Sequence, residues 1–125
     1  MSAGGLAPFA GHRYLNLESY RRTGQPVATP MWFTVDRDVV YVYSLASAGK
    51  VRRIGNNPRV RIAPCNARGT LTGPWVNATA RIVDDREAAH AQTLLVAKYG
   101  WLKRLADLWR KVRPKPRTVI AIVLS

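Results

Sequence analysis

The residues that could carry acid–base or nucleophilic chemistry are few and lie far apart in the chain. His12 stands in the N-terminal segment and His90 near the start of a predicted helix, so the two suggest no catalytic dyad. The acid pairs at 36/38 and 84/85 suit a tight turn and a helix N-cap, which are structural roles. Cys65 follows Pro64 at a strand end and is expected to be a buried thiol. We therefore expect no catalytic residue and no metal site, and an enzyme of this composition would take its chemistry from a cofactor.

The distribution of charge points to an anionic partner. Twenty Lys and Arg against seven Asp and Glu give a formal net charge of +13. No acidic residue occurs between Val39 and Val83, and the bases in that stretch are Lys50, Arg52, Arg53, Arg59, Arg61, Arg68 and Arg81. A second basic cluster, Lys98 to Arg117, is opposed only by Asp107. Because self-repulsion destabilises a compact cationic chain, nucleic acid, an anionic membrane surface or a phosphate-bearing ligand is the expected partner.

One segment suits a phosphate. Ser47-Ala48-Gly49-Lys50-Val51-Arg52-Arg53 combines small residues, which allow close backbone approach, with a predicted helix start whose N–H groups favour anions. Lys50 would act as a point charge, and Arg52 or Arg53 as a bidentate donor. A solvated helix face is the alternative. The chain contains neither a G-x-G-x-x-G nor a G-x-x-x-x-G-K-[ST] motif.

The pattern along the chain predicts one domain, residues 1–125, with mainly short strands. Predicted strands are Tyr14–Glu18, Val27–Val35, Val39–Tyr43, Arg59–Cys65 and Thr118–Leu124, and Thr70–Val83 reads as a strand pair or one bent strand interrupted at Gly73-Pro74. Turns are predicted at 21–25 and 36–38, and a short helix at Lys50–Asn57. A longer helical stripe runs from Asp84-Asp85 to Val112 and is weakened at Gly100. These elements make a small α+β barrel or sandwich.

Pro30 has a particular consequence in the second predicted strand. Proline has no N–H to donate to a ladder, so we expect an edge or a bulge there, with backbone groups left for a ligand. The single cysteine excludes an internal disulfide and favours a reducing compartment. No apolar run reaches the roughly 18 residues of a membrane span, and residues 1–11 lack the features of a secretory signal. We therefore expect a cytoplasmic protein.

Several short motifs together resemble one family. They are Val27-Ala28-Thr29-Pro30-Met31-Trp32-Phe33, the 47–53 run, Asn56-Asn57-Pro58-Arg59-Val60, Ala63-Pro64-Cys65-Asn66-Ala67-Arg68-Gly69 and Thr72-Gly73-Pro74-Trp75-Val76. Over about residues 14–84 the chain resembles the split β-barrel flavin and deazaflavin oxidoreductases related to pyridoxamine phosphate oxidase, in particular the branch that uses coenzyme F420. The resemblance implies an α+β, mainly β, split barrel of six to seven strands, with one long helix in the C-terminal half and a closing strand.

The resemblance also implies a homodimer with cofactor in an interface groove. The Thr29-Pro30-Met31-Trp32 backbone would line the tricyclic ring. Ser47, Lys50, Val51 and Arg53 would bind the phosphate, with help from Asn57. Arg68 and Gly69 would lie near the tail or the ring edge, and Trp75 beside the substrate. F420 carries a phosphodiester and an oligoglutamate tail, so the extended basic track favours it over FMN, the alternative cofactor.

The expected reaction is hydride transfer from the reduced deazaflavin to an unsaturated small molecule, with water or Tyr43 supplying a proton. Trp32, Phe33 and Trp75 could instead be barrel core, and Arg59 and Arg61 solvent-facing. A nucleic-acid-binding barrel would stack bases on Tyr41, Tyr43, Trp32 and Trp75, although we expect no nucleic acid. A peripheral membrane protein would use the helix face containing Trp101 and Trp109.

Overall fold

The computed structural model describes residues 3–45, 49–100 and 117–125. The elements are, in chain order, a 3₁₀ helix Ala3–Phe9, β1 Tyr14–Tyr20, β2 Pro26–Asp36, β3 Val39–Leu45, α1 Gly49–Asn56, β4 Arg59–Cys65, β5 Val76–Ile82, α2 Asp85–Tyr99 and β6 Arg117–Leu124. The six strands close into a barrel in the order β1-β2-β3-β6-β5-β4, with antiparallel neighbours throughout. The expected mainly β barrel is thus confirmed.

The barrel interior is filled by alternate residues of every strand. On β1, Leu15 and Leu17 are buried and pair across the ladders with Met31 and Ile62, which also face inward. Phe9 of the 3₁₀ helix closes one end and packs edge-on against Phe33, with ring centroids 6.0 Å apart. Phe33 is therefore a core residue, as the alternative reading of the sequence allowed.

Helix α2 covers the outer face of β3 and β6. Its residues Ala88 and Ala91 pack against a cluster that includes Tyr41 and Val119. Asp84 caps the helix by accepting a hydrogen bond from the Glu87 backbone N–H at 2.9 Å. The helix ends at Tyr99 because Gly100, at φ +57°, turns the chain away. The predicted continuation to Val112 lies outside the described residues.

The segment Thr70–Val83 differs from both sequence expectations. Only its second half is a strand, β5, and its first half is a loop that meets the sheet through a single bridge between Cys65 and Leu71. Gly73 lies so close to Pro64 that a Cβ built on it would stand 2.5 Å from the Pro64 ring. Pro74 cannot donate to a ladder, so the pairing cannot continue through this point. The predicted interruption at Gly73-Pro74 is confirmed, whereas the strand expected on its N-terminal side is wrong, because only the Cys65–Leu71 bridge forms there.

The two predicted hairpin turns are present. Gly24, at φ +89°, donates its N–H to the Arg21 carbonyl at 2.8 Å in the β1–β2 turn. Residues 37 and 38 connect β2 to β3, and Arg37 adopts φ +56° there. In β6, Val119 to Ile122 are buried as expected, whereas Val123 is exposed at the barrel exterior. Cys65 is buried, and burial raises the pKa of its thiol.

Candidate functional site

The barrel opens between β2 and β3. Strand β2 pairs with β1 over Pro26–Trp32 but pairs with β3 only over Phe33–Asp36, so the two strands separate beyond the Phe33–Val42 pair. The first half of β2 thus carries ladder hydrogen bonds on one edge only. This is the edge that Pro30 predicted, and it contains the Thr29–Trp32 backbone. Helix α1 begins four residues after β3 ends, and Ser47, in this connection, lies outside the described residues.

A basic cleft of about 930 Å³ lies between the β1–β2 turn and α1. It is lined by Tyr20, Arg21, Arg22, Gly24, Gly49, Arg52, Arg53, Asn56 and Asn57. Four of these nine residues are arginines, and none is acidic. We call this feature the basic cleft. Its charge matches the preference of phosphate and carboxylate groups for guanidinium donors.

Arg53 is held against the first turn of α1. Its Nε donates to Oγ of the buried Ser19 at 2.7 Å. A Cβ built on Gly49 would stand 2.9 Å from one Arg53 guanidinium nitrogen, so glycine at this position allows the close approach. Burial, and then the charge of Arg21, lower the pKa of Arg53. The structure therefore concentrates positive charge at the beginning of the helix, where N–H groups also favour an anion.

Lys50 adds to the same cluster. Its pKa is lowered by burial and secondarily by the charge of Arg53. Among the described residues, neither Lys50 nor Arg53 belongs to an ion pair. Neighbouring cations that are partly desolvated and unpaired destabilise each other, and a bound anion would reverse this effect. These residues therefore fit the phosphate of a flavin or deazaflavin cofactor.

Val51 lies within α1, and Asn57 directly follows its last residue. The Val51 side chain packs against the barrel core, so it faces away from the cleft. Asn57 borders the cleft, and its N–H donates to the Arg53 carbonyl at 2.8 Å. The Asn57 Oδ1 accepts from the Arg59 N–H at 3.1 Å, which fixes the passage from α1 into β4. Asn57 thus shapes the cleft, while Val51 anchors the helix that carries it.

A second group of predicted site residues meets on the outer face of β1 and β2. Gly69, at φ +88°, accepts a hydrogen bond at its carbonyl from Asn16 Nδ2 at 2.7 Å. A Cβ built on Gly69 would lie 3.7 Å from the Pro30 ring, so the loop rests on β2 at that point. Arg68 is exposed beside it in a turn, and its N–H donates to Asn66 Oδ1. Pro30, Gly69 and Arg68 are therefore neighbours, apart from the basic cleft.

The remaining residues of the Thr29–Trp32 segment alternate across β2. Met31 is buried in the core, whereas Trp32 faces outward and stacks on Tyr99, with ring centroids 5.1 Å apart. Thr29 is half-buried on the inward side, opposite Leu17. These four residues therefore share a backbone edge but not a common side-chain face.

Trp75 takes part in an outer-face ion-pair network rather than the core. The Arg61 guanidinium lies 4.9 Å from the Trp75 ring centroid and donates to Glu18 at 2.7 and 3.0 Å. Tyr20 donates to the same carboxylate at 2.9 Å. The hydrogen bonds from Arg61 lower the pKa of Glu18. Arg61 is therefore partly exposed, as the solvent-facing alternative expected, but it is also held by the carboxylate of the buried Glu18.

Sequence reasoning missed Tyr20, Arg21 and Arg22 as residues of the basic cleft. They lie about thirty positions from α1, and only closure of the barrel brings the β1–β2 turn opposite that helix. Tyr43, the side chain that the sequence suggests as a proton donor, packs in the cluster beneath α2. The tyrosine that lines the basic cleft is Tyr20.

Two negative findings concern metals and membranes. Within residues 3–45, 49–100 and 117–125, no three His, Cys, Asp or Glu side chains lie close enough to share a metal ion. In the same part of the chain, no helix has the length and apolar character needed to cross a membrane.

The six antiparallel strands form a barrel in which β2 and β3 separate beside the basic helix α1. This architecture is that of the split-barrel class of flavin-binding proteins. Within that class, the chain belongs to the pyridoxamine 5′-phosphate oxidase family, whose model matches residues 6–124. No curated protein matches the chain.

Solved structures share the fold at low sequence identity. HutZ, the heme storage protein from Vibrio cholerae, is 14% identical with a TM-score of 0.70, and the match covers 92% of this chain and 83% of that one. A FAD-binding protein from Mesorhizobium loti is 18% identical with a TM-score of 0.65, covering 100% and 89%. A protein described as an F420 reductase is 20% identical with a TM-score of 0.60, covering 96% and 92%. The fold is thus shared by proteins whose descriptions name heme, FAD and F420, and it does not by itself select a ligand.

Proposed function

We propose that this protein is an oxidoreductase that binds coenzyme F420 and transfers hydride from its reduced form to an unsaturated small molecule. The observation that carries this proposal is the pair formed by Lys50 and the Arg53 guanidinium beside the first turn of α1. Arg53 lines the basic cleft, and neither cation belongs to an ion pair of the described residues. A phosphodiester at this position would neutralise both cations and accept their hydrogen bonds. The ring of the cofactor would then lie along the free edge of β2.

Two features favour the deazaflavin over FMN. Arg21, Arg22 and Arg52 extend the positive charge beyond Lys50 and Arg53, which suits a ligand with carboxylates in addition to one phosphate. The similarity to an F420 reductase supports the same choice, while the similarity to a FAD-binding protein keeps the flavins as the alternative. FMN, with a single terminal phosphate, would leave the arginines of the β1–β2 turn without a partner.

When bound, the reduced cofactor supplies a hydride, and the acceptor takes up this hydride together with a proton. The protein itself would hold the cofactor and the acceptor in contact and exclude water from the space between them. Lys50 and Arg53 would fix the phosphate, and the β2 backbone would orient the ring. Tyr20 lines the basic cleft with a hydroxyl that donates to Glu18. A second copy of the chain completes the groove in this proposal, as the family resemblance implies.

The proposal is tested by titrating the purified protein with F420, FMN, FAD and hemin, with ligand fluorescence or absorbance as the readout. We expect the tightest binding for F420 and consumption of reduced F420 when an electron-poor quinone or unsaturated ketone is added. Tighter binding of FMN or FAD, with turnover, would assign the protein to the flavin-dependent alternative. Hemin binding without F420 binding would contradict the proposal.

The rival classes have weaker structural support. Tyr41, one of the four aromatic residues offered for base stacking, is buried and donates to Glu87 at 2.7 Å. Trp32 has one face covered by Tyr99. Trp101 and Trp109, on which the membrane alternative depends, lie outside the described residues. Membrane contact by that segment therefore stays a sequence-based hypothesis.

A further inference from the structure

A second cleft, of about 530 Å³, lies between the 3₁₀ helix, β2 and α2. Its walls are mainly apolar and include Leu6, Phe9, Phe33, Val35, Leu94 and Ala97. It lies near the N-terminal end of β1, whereas the basic cleft lies near the C-terminal end, and seven residues of strand span roughly 20 Å. We call this feature the apolar cleft. It shares no lining residue with the basic cleft.

A lysine ammonium borders the apolar cleft. Lys98 Nζ donates to the Phe33 carbonyl at 2.9 Å and lies 3.6 Å from the Phe33 ring centroid and 5.3 Å from that of Tyr99. Although much of the side chain is exposed, burial at its end lowers the pKa of Lys98 to about 8. The one hydrogen bond leaves two N–H groups of the ammonium for another acceptor.

A second cation, Arg37, also borders the apolar cleft. It occupies a left-handed conformation in the β2–β3 turn, at φ +56°, where glycine or asparagine would fit with less strain. Turn geometry therefore gives no reason for an arginine at this position. The described residues contain three ion pairs, and neither Lys98 nor Arg37 takes part in any of them.

We propose that the apolar cleft binds a small carboxylate with a rigid apolar body, its carboxylate facing Lys98 and Arg37 and its body contacting Val35, Leu94 and Ala97. An apolar wall removes hydrocarbon surface from water, and the two cations supply charge-assisted hydrogen bonds that the protein leaves unused. A neutral molecule of the same shape would gain only the burial of its hydrocarbon surface. This inference is independent of the proposed redox function, because it uses a different cleft.

The test uses 2-naphthoate as the probe and 2-naphthamide as its uncharged counterpart. Binding to the full chain is followed by calorimetry and by amide chemical shifts, with inorganic phosphate in excess to occupy the basic cleft. We expect naphthoate to bind at least about tenfold more tightly than the amide. The largest shifts should fall on residues 33–35 and 94–98.

Three variants separate charge from shape. Lys98→Met, which keeps the length of the side chain, should weaken naphthoate binding about tenfold and leave the amide unaffected. Lys98→Arg should retain most of the naphthoate affinity. Arg37→Asn tolerates the turn conformation and should weaken naphthoate binding by a smaller factor. Thermal unfolding of each variant checks that the fold is intact.

Several results would overturn the proposal. Equal affinity for acid and amide would show that the cations play no part. Absence of binding by either probe would show that the cleft is not a ligand site. Shifts confined to residues around Arg52 and Asn56 would place the carboxylate in the basic cleft instead.

Discussion

The Tyr99 hydroxyl forms hydrogen bonds with the backbone of Phe33, at a point where β1 provides no ladder partner. It accepts a hydrogen bond from the Phe33 N–H at 2.8 Å and lies 2.6 Å from the Phe33 carbonyl and 2.7 Å from that of Arg13. The β1–β2 ladder stops at the Tyr14–Trp32 pair, so Tyr99 satisfies the next backbone groups along β2. Burial raises the pKa of Tyr99, which keeps its proton in place as a donor. One residue thus ties α2 to the strand that borders the candidate site.

Replacing Tyr99 by Phe removes this bridge and leaves the buried Phe33 N–H without an acceptor. We expect Tyr99→Phe to lower the free energy of unfolding by about 1–3 kcal/mol, since an orphaned buried donor loses its full solvation. Urea unfolding measures the change. Tyr14→Phe is the matched control and should stay within about 0.5 kcal/mol. Equal effects of the two substitutions would show that the hydroxyl of Tyr99 has no special role.

Lys50 is expected to contribute directly to cofactor binding. Lys50→Ala removes one charge-assisted contact worth roughly 1.5–3 kcal/mol, so F420 affinity should fall about 10- to 100-fold. Fluorescence titration measures this change. Arg86→Ala is the control, because it removes one exposed positive charge from α2, away from the basic cleft. Unchanged affinity in Lys50→Ala would remove this residue from the site.

The β1–β2 turn is expected to distinguish F420 from FMN. The double variant Arg21→Gln/Arg22→Gln should weaken F420 binding by about tenfold and change FMN binding by about twofold at most, because only F420 carries tail carboxylates. The turn itself should survive, since Arg21 forms it through its backbone. Raising the salt concentration should reduce the difference. An equal loss for both cofactors would show that these arginines face the shared phosphate rather than the tail.

The Glu18–Arg61 pair predicts an acid-sensitive part of the stability. Arg61 lowers the pKa of Glu18 in the folded state below its ordinary value of 4.5, so the native state favours the carboxylate. This contribution is therefore present above that value and is lost as the pH falls through the lowered, folded-state pKa. Glu18→Gln should be less stable than the parent chain at neutral pH, and the two should converge in acid.

Urea unfolding of Glu18→Gln and of the parent chain, at neutral and at acid pH, measures the difference in stability. Asp85→Asn is the control, since this exposed acid takes part in none of the ion pairs of the described residues. A constant stability difference between Glu18→Gln and the parent chain across the pH range would contradict the linkage.

Local sequence signals predicted most of the barrel. Runs of β-branched and aromatic residues in β2 and β3, glycine in the 21–25 turn, and an acid before α2 each act over a few residues, so one sequence suffices to recognise them. The sequence allows either Asp84 or Asp85 to cap α2, and in the structure Asp84 is the cap. The sequence predicts the interruption at Gly73-Pro74, but the β-branched Thr70 and Thr72 also favour a strand before it, where the structure has a loop. The close approach of Gly73 to the Pro64 ring, where this loop rests on β4, is a long-range contact that the sequence does not reveal.

The sequence predicted only part of the candidate site, because some of its residues meet only through long-range contacts. Lys50 and Arg53 stand in one short helix, so a local pattern of small and basic residues was enough to nominate them as phosphate ligands. Arg21 and Arg22 join them through barrel closure, and the Tyr99–Phe33 contact bridges 66 positions. Long-range contacts of this kind depend on the complete fold. The apolar cleft likewise combines three elements that are distant in the chain.

A crystal structure of the protein with bound F420 tests the proposed cofactor site most directly. We predict that the phosphodiester lies within hydrogen-bonding distance of Lys50 or Arg53, that the ring follows the free edge of β2, and that the tail extends toward Arg21 and Arg22. A cofactor bound elsewhere, with the basic cleft filled only by solvent, would contradict the assignment of Lys50 and Arg53 to the cofactor phosphate.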